Sequence, residues 1–159
     1  MRLAVAAIGR LKAGPERELV TRYASRIDKS ARPLGIAGLD QVELTEGRAA
    51  ETDLRKQSEA AELQKRLSTF QTVICFDERG KPIDSLAFAD MIRSALDQSK
   101  NIACVIGGPD GLDSAFRDGA QHVISFGKLT MPHQLVRVLV MEQLYRATTI
   151  LSGHPYHRV

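Results

Sequence analysis

The chain has 159 residues, of which 43% are hydrophobic and 26% are charged, a balance that predicts one domain over residues 1–159. It has neither an apolar run of the roughly 20 residues that cross a membrane nor a signal-peptide pattern, so we expect a cytoplasmic protein without membrane contact. The net charge of +3 does not by itself predict a nucleic-acid partner. Cys75 and Cys104 lie in apolar runs without metal-site spacing, so we expect buried thiols and no metal.

The distribution of charge is more informative than its total. Residues 10–32 carry seven Lys or Arg against three Asp or Glu, and residues 119–159 carry four against one. Positive charge is therefore concentrated at the two ends of the chain, where it could contact phosphates.

Short β-rich runs alternate with amphipathic stretches along the whole chain. The alternation predicts an α/β fold with a mostly parallel sheet flanked by helices. The five strand candidates are residues 3–8, 38–44, 72–77, 102–106 and 122–126.

The first helix is predicted to begin at Pro15, a favoured first-turn residue. Its buried face repeats at fourfold spacing through Leu19, Tyr23 and Ile27. Arg22, Arg26 and Lys29 form a basic stripe on the other face. The stripe is equally consistent with an RNA contact and with a solvated helix face.

Further helices are predicted over residues 49–67 and 85–98, with a short one near Leu112. The last helix, over residues 132–151, is apolar on nearly every side. Because one sheet covers only one side of a helix, we expect a partner subunit as a second cover.

Three loops follow three of the strands, where open α/β sheets bind ligands. Residues 76–82 carry two carboxylates and two cations at the end of a strand. They form either part of a ligand site or an ordinary charged surface turn. The loop at 107–111 has the sequence GGPDG and lacks both phosphate-loop patterns. Its glycines would expose backbone amides to a ligand, and we expect a branched side chain at Gly108 to occupy the ligand's space. The loop is consistent with binding of an adenosyl ligand that has no phosphates, and equally with a tight structural turn that binds no ligand.

The third loop runs over residues 125–133 into the last helix. Thr130 could cap that helix and Pro132 could open it, while His133 and Arg137 share a helical face. The tail at 154–158, HPYHR, combines an aromatic ring with cationic groups. Such a tail is either frayed or a binder of single-stranded RNA.

Three segments together identify a family. VIGGPDGL, KLTMPHQLVRVLVMEQLYRA and the terminal HPYHR closely resemble the RlmH family, the bacterial 23S ribosomal RNA pseudouridine N3-methyltransferases of the SPOUT superfamily. The resemblance spans the chain and is most specific from Thr72 onward. Phe76 and Asp110 depart mildly from the family's more common leucine and glutamate.

This resemblance implies a SPOUT-type α/β fold with a C-terminal trefoil knot, which general topology rules would have excluded. It also implies a homodimer and the cofactor S-adenosyl-L-methionine, held by the three loops. The implied cofactor residues in this sequence are Phe76, Gly108, Gly127, Lys128, Leu129, Thr130, Met131 and Pro132.

The implied substrate is a pseudouridine in a loop of 23S ribosomal RNA, at the subunit interface of the assembled ribosome. Its ring nitrogen N3 is protonated at neutral pH, so a group must accept that proton. The candidates are His133, His157 and a water molecule, and Arg137 could stabilise negative charge on the ring carbonyls.

The remaining candidates would bind RNA. Arg146 and Arg158 could hold phosphates, and Tyr156 could stack on the unpaired base. The alternative function is a non-enzymatic RNA-binding or ribosome-binding protein with a degenerate cofactor pocket. Intact glycines in the loops at 107–111 and 125–133 argue against this alternative, because a lost cofactor site would not need them.

Overall fold

The computed structural model describes residues 1–158 and contains one sheet of five parallel strands. The strand order is β2-β1-β4-β3-β5. The strands are β1 (Leu3–Ile8), β2 (Leu39–Leu44), β3 (Thr72–Pro82), β4 (Ile102–Ile106) and β5 (His122–Ser125). Every residue of β1 and β4 is buried, as expected for central strands covered on both faces. The predicted α/β class with a parallel sheet is confirmed.

Helices cover both faces of the sheet. They are α1 (Pro15–Ala31), α2 (Thr52–Arg66), α3 (Ser85–Asp97), α4 (Ser114–Asp118) and α5 (His133–Ser152), with a 3-10 turn at Arg32–Leu34. The core on one face joins the sheet to α1, α3 and α5, and the core on the other face joins it to α2 and α4. The trefoil knot stays a prediction.

Strand β3 is longer than predicted because part of the expected charged turn is extended. After a bulge, Lys81 and Pro82 return to pair with Ile124 and Ser125 of β5. Gly80 permits this close approach, since an added Cβ would lie 2.6 Å from the carbonyl carbon of Ile124. Sequence periodicity missed the extension because its side chains are charged and mostly exposed.

Helix α5 begins at His133 with Pro132 as its N-cap and no side-chain cap hydrogen bond. The prediction that Thr130 caps this helix was therefore wrong. The Thr130 hydroxyl instead donates to Glu78 Oε2 at 3.4 Å.

Helix α5 packs against α1 and α3 as well as the sheet. This packing buries Val140, Met141 and Leu144. Leu135 and Leu139, one turn apart, remain 45% and 36% exposed. Neighbouring helices thus cover most of the helix, and a short apolar strip is left uncovered.

Within residues 1–158, no helix is both long and apolar enough to cross a membrane. The same residues contain no group of three His, Cys, Asp or Glu side chains placed to hold a metal ion. Cys75 and Cys104 are free and buried.

Candidate functional site

A cleft of about 250 Å³ opens at the carboxyl ends of β3, β4 and β5. Its walls come from residues 76–79, 106–112, 124–127 and 129–131, together with His133 and Val136 of α5. Parallel strands end at a common edge, so loops far apart in the sequence meet there. The three loops singled out in the sequence thus form one concave surface.

Most of the residues predicted to hold the cofactor line this cleft. They are Phe76, Gly108, Gly127, Leu129, Thr130 and Met131. Lys128 and Pro132 belong to the same loop but lie outside the lining.

An aromatic wall closes one side of the cleft. The rings of Phe76 and Phe126 stack at a centroid distance of 5.3 Å and an interplanar angle of 23°. Phe126 is 37% exposed, so an apolar surface faces the opening. Phe126 was not among the predicted cofactor residues. Its position at the end of β5, beside β3, is the signal that could have identified it.

The loop at 107–111 packs tightly on its inner side. A Cβ added to Gly108 would lie 2.9 Å from Cγ2 of the buried Ile8. The expectation that a side chain at 108 would enter the ligand's space is therefore corrected, because it would first meet the core. The amide of Gly111 donates to the Gly108 carbonyl at 3.0 Å and closes the turn.

Ser125 shapes the third loop. Its hydroxyl donates to the Gly127 carbonyl at 2.7 Å and accepts from the Gly127 amide at 3.0 Å. Gly127 has a φ of +130°, a conformation that favours glycine. No heavy atom lies within 4 Å of the position that a Cβ on Gly127 would occupy, so the cleft is open at this residue.

His133 lines the cleft beside the end of β1. A Cβ built on Gly9 would lie 3.9 Å from His133 Nε2 and 3.4 Å from Glu46 Oε1. An imidazole and a carboxylate therefore flank the backbone of Gly9. Of the two, His133 lines the cleft, and an imidazole there can accept a proton from a ligand.

Arg137 lies outside the cleft lining and is 5% exposed. Its Nη1 donates to Glu43 Oε2, and its Nη2 donates to the Gly9 carbonyl at 2.9 Å. Its Nε has no hydrogen-bond partner among the described residues. Burial would raise the pKa of Glu43, but hydrogen bonds from the Leu11 amide and Arg137 outweigh it and lower the pKa.

The tail is folded back onto α5. The Tyr156 hydroxyl donates to Glu142 Oε1 at 3.0 Å, and its ring lies 4.7 Å from that of Tyr145. The guanidinium of Arg146 sits 4.8 Å from the Tyr156 ring centroid and 3.3 Å from His157 Nδ1. Burial and the Glu142 hydrogen bond raise the pKa of Tyr156. These contacts define a tail cluster of Tyr145, Arg146, Tyr156 and His157.

The tail cluster and the cleft lie on different parts of α5. Glu142 and Arg146, which contact the tail, lie nine and thirteen residues beyond His133, or about 14 and about 20 Å along the helix axis at 1.5 Å per residue. The structure therefore does not bring His157, Tyr156 and Arg146 to the cleft of their own chain. Arg158 is exposed beyond them.

Comparisons with known proteins agree along the whole chain. A family model described as "Predicted SPOUT methyltransferase" matches residues 1–157. "Ribosomal RNA large subunit methyltransferase H" of Agrobacterium fabrum is 49% identical over 160 residues and covers 100% of both chains. The protein of that name in Brucella anthropi is 50% identical over 99% of both chains.

One solved structure supports the fold alone. A probable methylase family protein from Haemophilus influenzae Rd KW20 has a TM-score of 0.55 at 14% identity. The match covers 99% of this chain and 70% of that chain.

Proposed function

This chain belongs to the SPOUT methyltransferase family, and we propose on that premise that it methylates N3 of a pseudouridine in 23S ribosomal RNA, using S-adenosylmethionine. Full-length relatives at 49% and 50% identity carry the name of a large-subunit ribosomal RNA methyltransferase. We further propose that it acts on the assembled ribosome in the cytoplasm.

The observation that carries the proposal is the cleft built by three loops. Its stacked Phe76 and Phe126 offer a flat apolar wall that suits an adenine ring. Its glycines bring bare backbone close to a ligand, and Pro109 removes an amide that a phosphate would use. The residues present therefore fit an adenosyl ligand that has no phosphate.

When bound, S-adenosylmethionine supplies an electrophilic sulfonium methyl group, so alignment of the attacking nitrogen dominates the chemistry. We assign His133 as the acceptor of the N3 proton because it lines the cleft, whereas His157 contacts Arg146 and lies outside the cleft lining. Arg137, which holds the Gly9 carbonyl, positions the backbone beside His133. Its burial argues for this positioning role over direct contact with the base.

We propose that the active form is a homodimer in which the tail of one subunit completes the cleft of the other. The tail cluster carries the predicted RNA contacts, but none of its residues lines the cleft of its own chain. The uncovered strip of Leu135 and Leu139 supplies an apolar surface for subunit contact. An antiparallel pairing along α5 would place each tail beside the partner's cleft.

Two measurements test the proposed function. Mass spectrometry of 23S ribosomal RNA from cells with and without the gene should show one methyl group lost from one pseudouridine. Calorimetry should show binding of S-adenosylmethionine to the purified protein. Unchanged RNA together with no cofactor binding would favour the alternative of a non-enzymatic RNA-binding protein.

A further inference from the structure

We propose that Arg55 is a positioning residue that fixes the glycine loop of the cleft, residues 107–111, in its ligand-binding shape. This inference rests on the function proposed above. Arg55 lies in the first turn of α2 and is separated from the loop by more than fifty positions. It does not line the cleft and would act through Asp110.

All five N–H groups of the Arg55 guanidinium are used within the chain. Nε donates to Asp110 Oδ2 at 3.0 Å, and Nη2 donates to Oδ1 at 3.3 Å. Nη1 donates to the carbonyls of Ala49 and Ala50 at 2.9 and 2.8 Å, and Nη2 also donates to Thr52 Oγ1 at 3.0 Å. The guanidinium therefore joins the segment after β2, the start of α2 and the glycine loop.

The glycine loop depends on this anchor because of its composition. Among Gly107, Gly108, Pro109, Asp110 and Gly111, Asp110 alone has a polar side chain. Packing against the core fixes the loop's inner side, whereas its glycines leave the outer side free to adopt other conformations. If the loop is already held in one conformation, ligand binding does not have to order the loop, and the entropic cost of binding is smaller.

The Arg55–Asp110 pair differs from an ordinary surface ion pair, which contributes little to stability. Each of the two carboxylate oxygens accepts a hydrogen bond from the guanidinium. The side chains of Arg55 and Asp110 are only 24% and 31% exposed. The backbone carbonyls already hold the guanidinium, so little side-chain freedom remains to be lost. The hydrogen bond from Arg55 lowers the pKa of Asp110, because the guanidinium stabilises the ionised carboxylate.

The test measures cofactor affinity separately from turnover. We expect Arg55→Ala to raise the Kd for S-adenosylmethionine about tenfold, or about 1.4 kcal/mol. At saturating cofactor, its kcat and its KM for ribosomes should match the wild type. Asp110→Asn should raise the Kd to a similar extent while leaving the other Arg55 contacts intact. The double variant should be no weaker than either single one, because both remove the same interaction.

Three further variants and a salt series sharpen the test. Asp110→Glu keeps the carboxylate and should bind S-adenosylmethionine nearly as tightly as the wild type. Arg55→Lys cannot make two parallel hydrogen bonds to the carboxylate and should bind the cofactor as weakly as Arg55→Ala. Arg93→Ala removes an Arg–Asp pair on α3 outside the cleft and should leave the Kd unchanged. Added salt should weaken wild-type binding more than binding by Arg55→Ala, because it screens the ion pair.

Wild-type affinity in both Arg55→Ala and Asp110→Asn would overturn the inference. Proportional losses of kcat, affinity and melting temperature in both variants would also overturn it, since they would indicate a general structural role. If the wild-type protein itself does not bind S-adenosylmethionine, the proposed function fails and the inference falls with it.

Discussion

The cleft and the tail cluster both involve α5, but backbone loops form the cleft and side-chain packing forms the tail cluster. The cleft forms where backbone loops leave neighbouring parallel strands, and α5 contributes His133 and Val136 from its first turn. The tail cluster forms by packing of side chains, with Tyr145 and Arg146 of the last turns holding Tyr156. The helix keeps the two regions about 14 to 20 Å apart along its axis, since the tail contacts Glu142 and Arg146. One chain therefore contains both halves of the proposed site without joining them.

The largest expected effect comes from removing the tail. Deleting residues 154–159 should lower methylation of ribosomes on the order of 10³-fold, through loss of a stacking face and its cationic neighbours. Cofactor affinity should stay within about twofold of the wild type, because the three loops that hold the cofactor include no tail residue. A deletion variant that methylates at the full rate would remove Tyr156, His157 and Arg158 from RNA binding.

A mixed dimer tests whether the two regions meet across subunits. A tail-deleted subunit paired with a His133→Asn subunit should regain about half of the wild-type activity, because one cleft then meets one intact tail. Each variant alone should retain at most about one hundredth of the wild-type activity. If the mixed dimer is also inactive, the tail does not act on the partner's cleft.

His133→Asn tests the cleft end alone. Loss of a general base costs about 10² to 10⁴ in rate, and we expect the lower end because water can substitute. Single-turnover methylation at saturating cofactor measures this effect. His122→Asn, a matched histidine at the start of β5, should retain full activity. An unchanged rate in His133→Asn would leave water as the proton acceptor.

Two glycines of the cleft should respond differently to alanine. Gly108→Ala places a Cβ 2.9 Å from Ile8 Cγ2, so we expect about 1–3 kcal/mol of lost stability from overpacking. The Cβ of Gly127→Ala would have no heavy atom within 4 Å. This variant should lose only about 1 kcal/mol of stability, because a side chain is unfavourable at its positive φ. Urea unfolding compares the two variants. Equal stability of Gly108→Ala and the wild type would show that Ile8 moves aside.

The last expected effect is confined to alkaline pH, where the protein should lose stability. Burial raises the pKa of Cys75 from 9.0 to about 12 and also raises that of Cys104. Both thiols stay neutral in the folded protein but ionise in the unfolded chain above pH 9. Each thiol should therefore cost about 1.4 kcal/mol of stability per pH unit between pH 9 and about 12. Cys75→Ala should flatten this slope in urea unfolding, and an unchanged slope would contradict the assigned burial.

Much of the fold could be predicted because its strands are short apolar runs with clear ends. Strands β1 and β4 match their predicted residues, since burial on both faces leaves a continuous apolar signal. The second half of β3 could not be predicted, because its pairing with β5 depends on a bulge and on Gly80 fitting against Ile124.

The sequence by itself determined the fold class, the three loops and the family, because apolar periodicity and contiguous motifs are local properties. Tertiary structure alone decided which side chains face the cleft. It buried Arg137 against Gly9 and Glu43, stacked Phe126 on Phe76, and tied Asp110 to Arg55. Each of these contacts joins residues far apart in the chain. Their distances depend on how strands and helices pack, which no local pattern encodes.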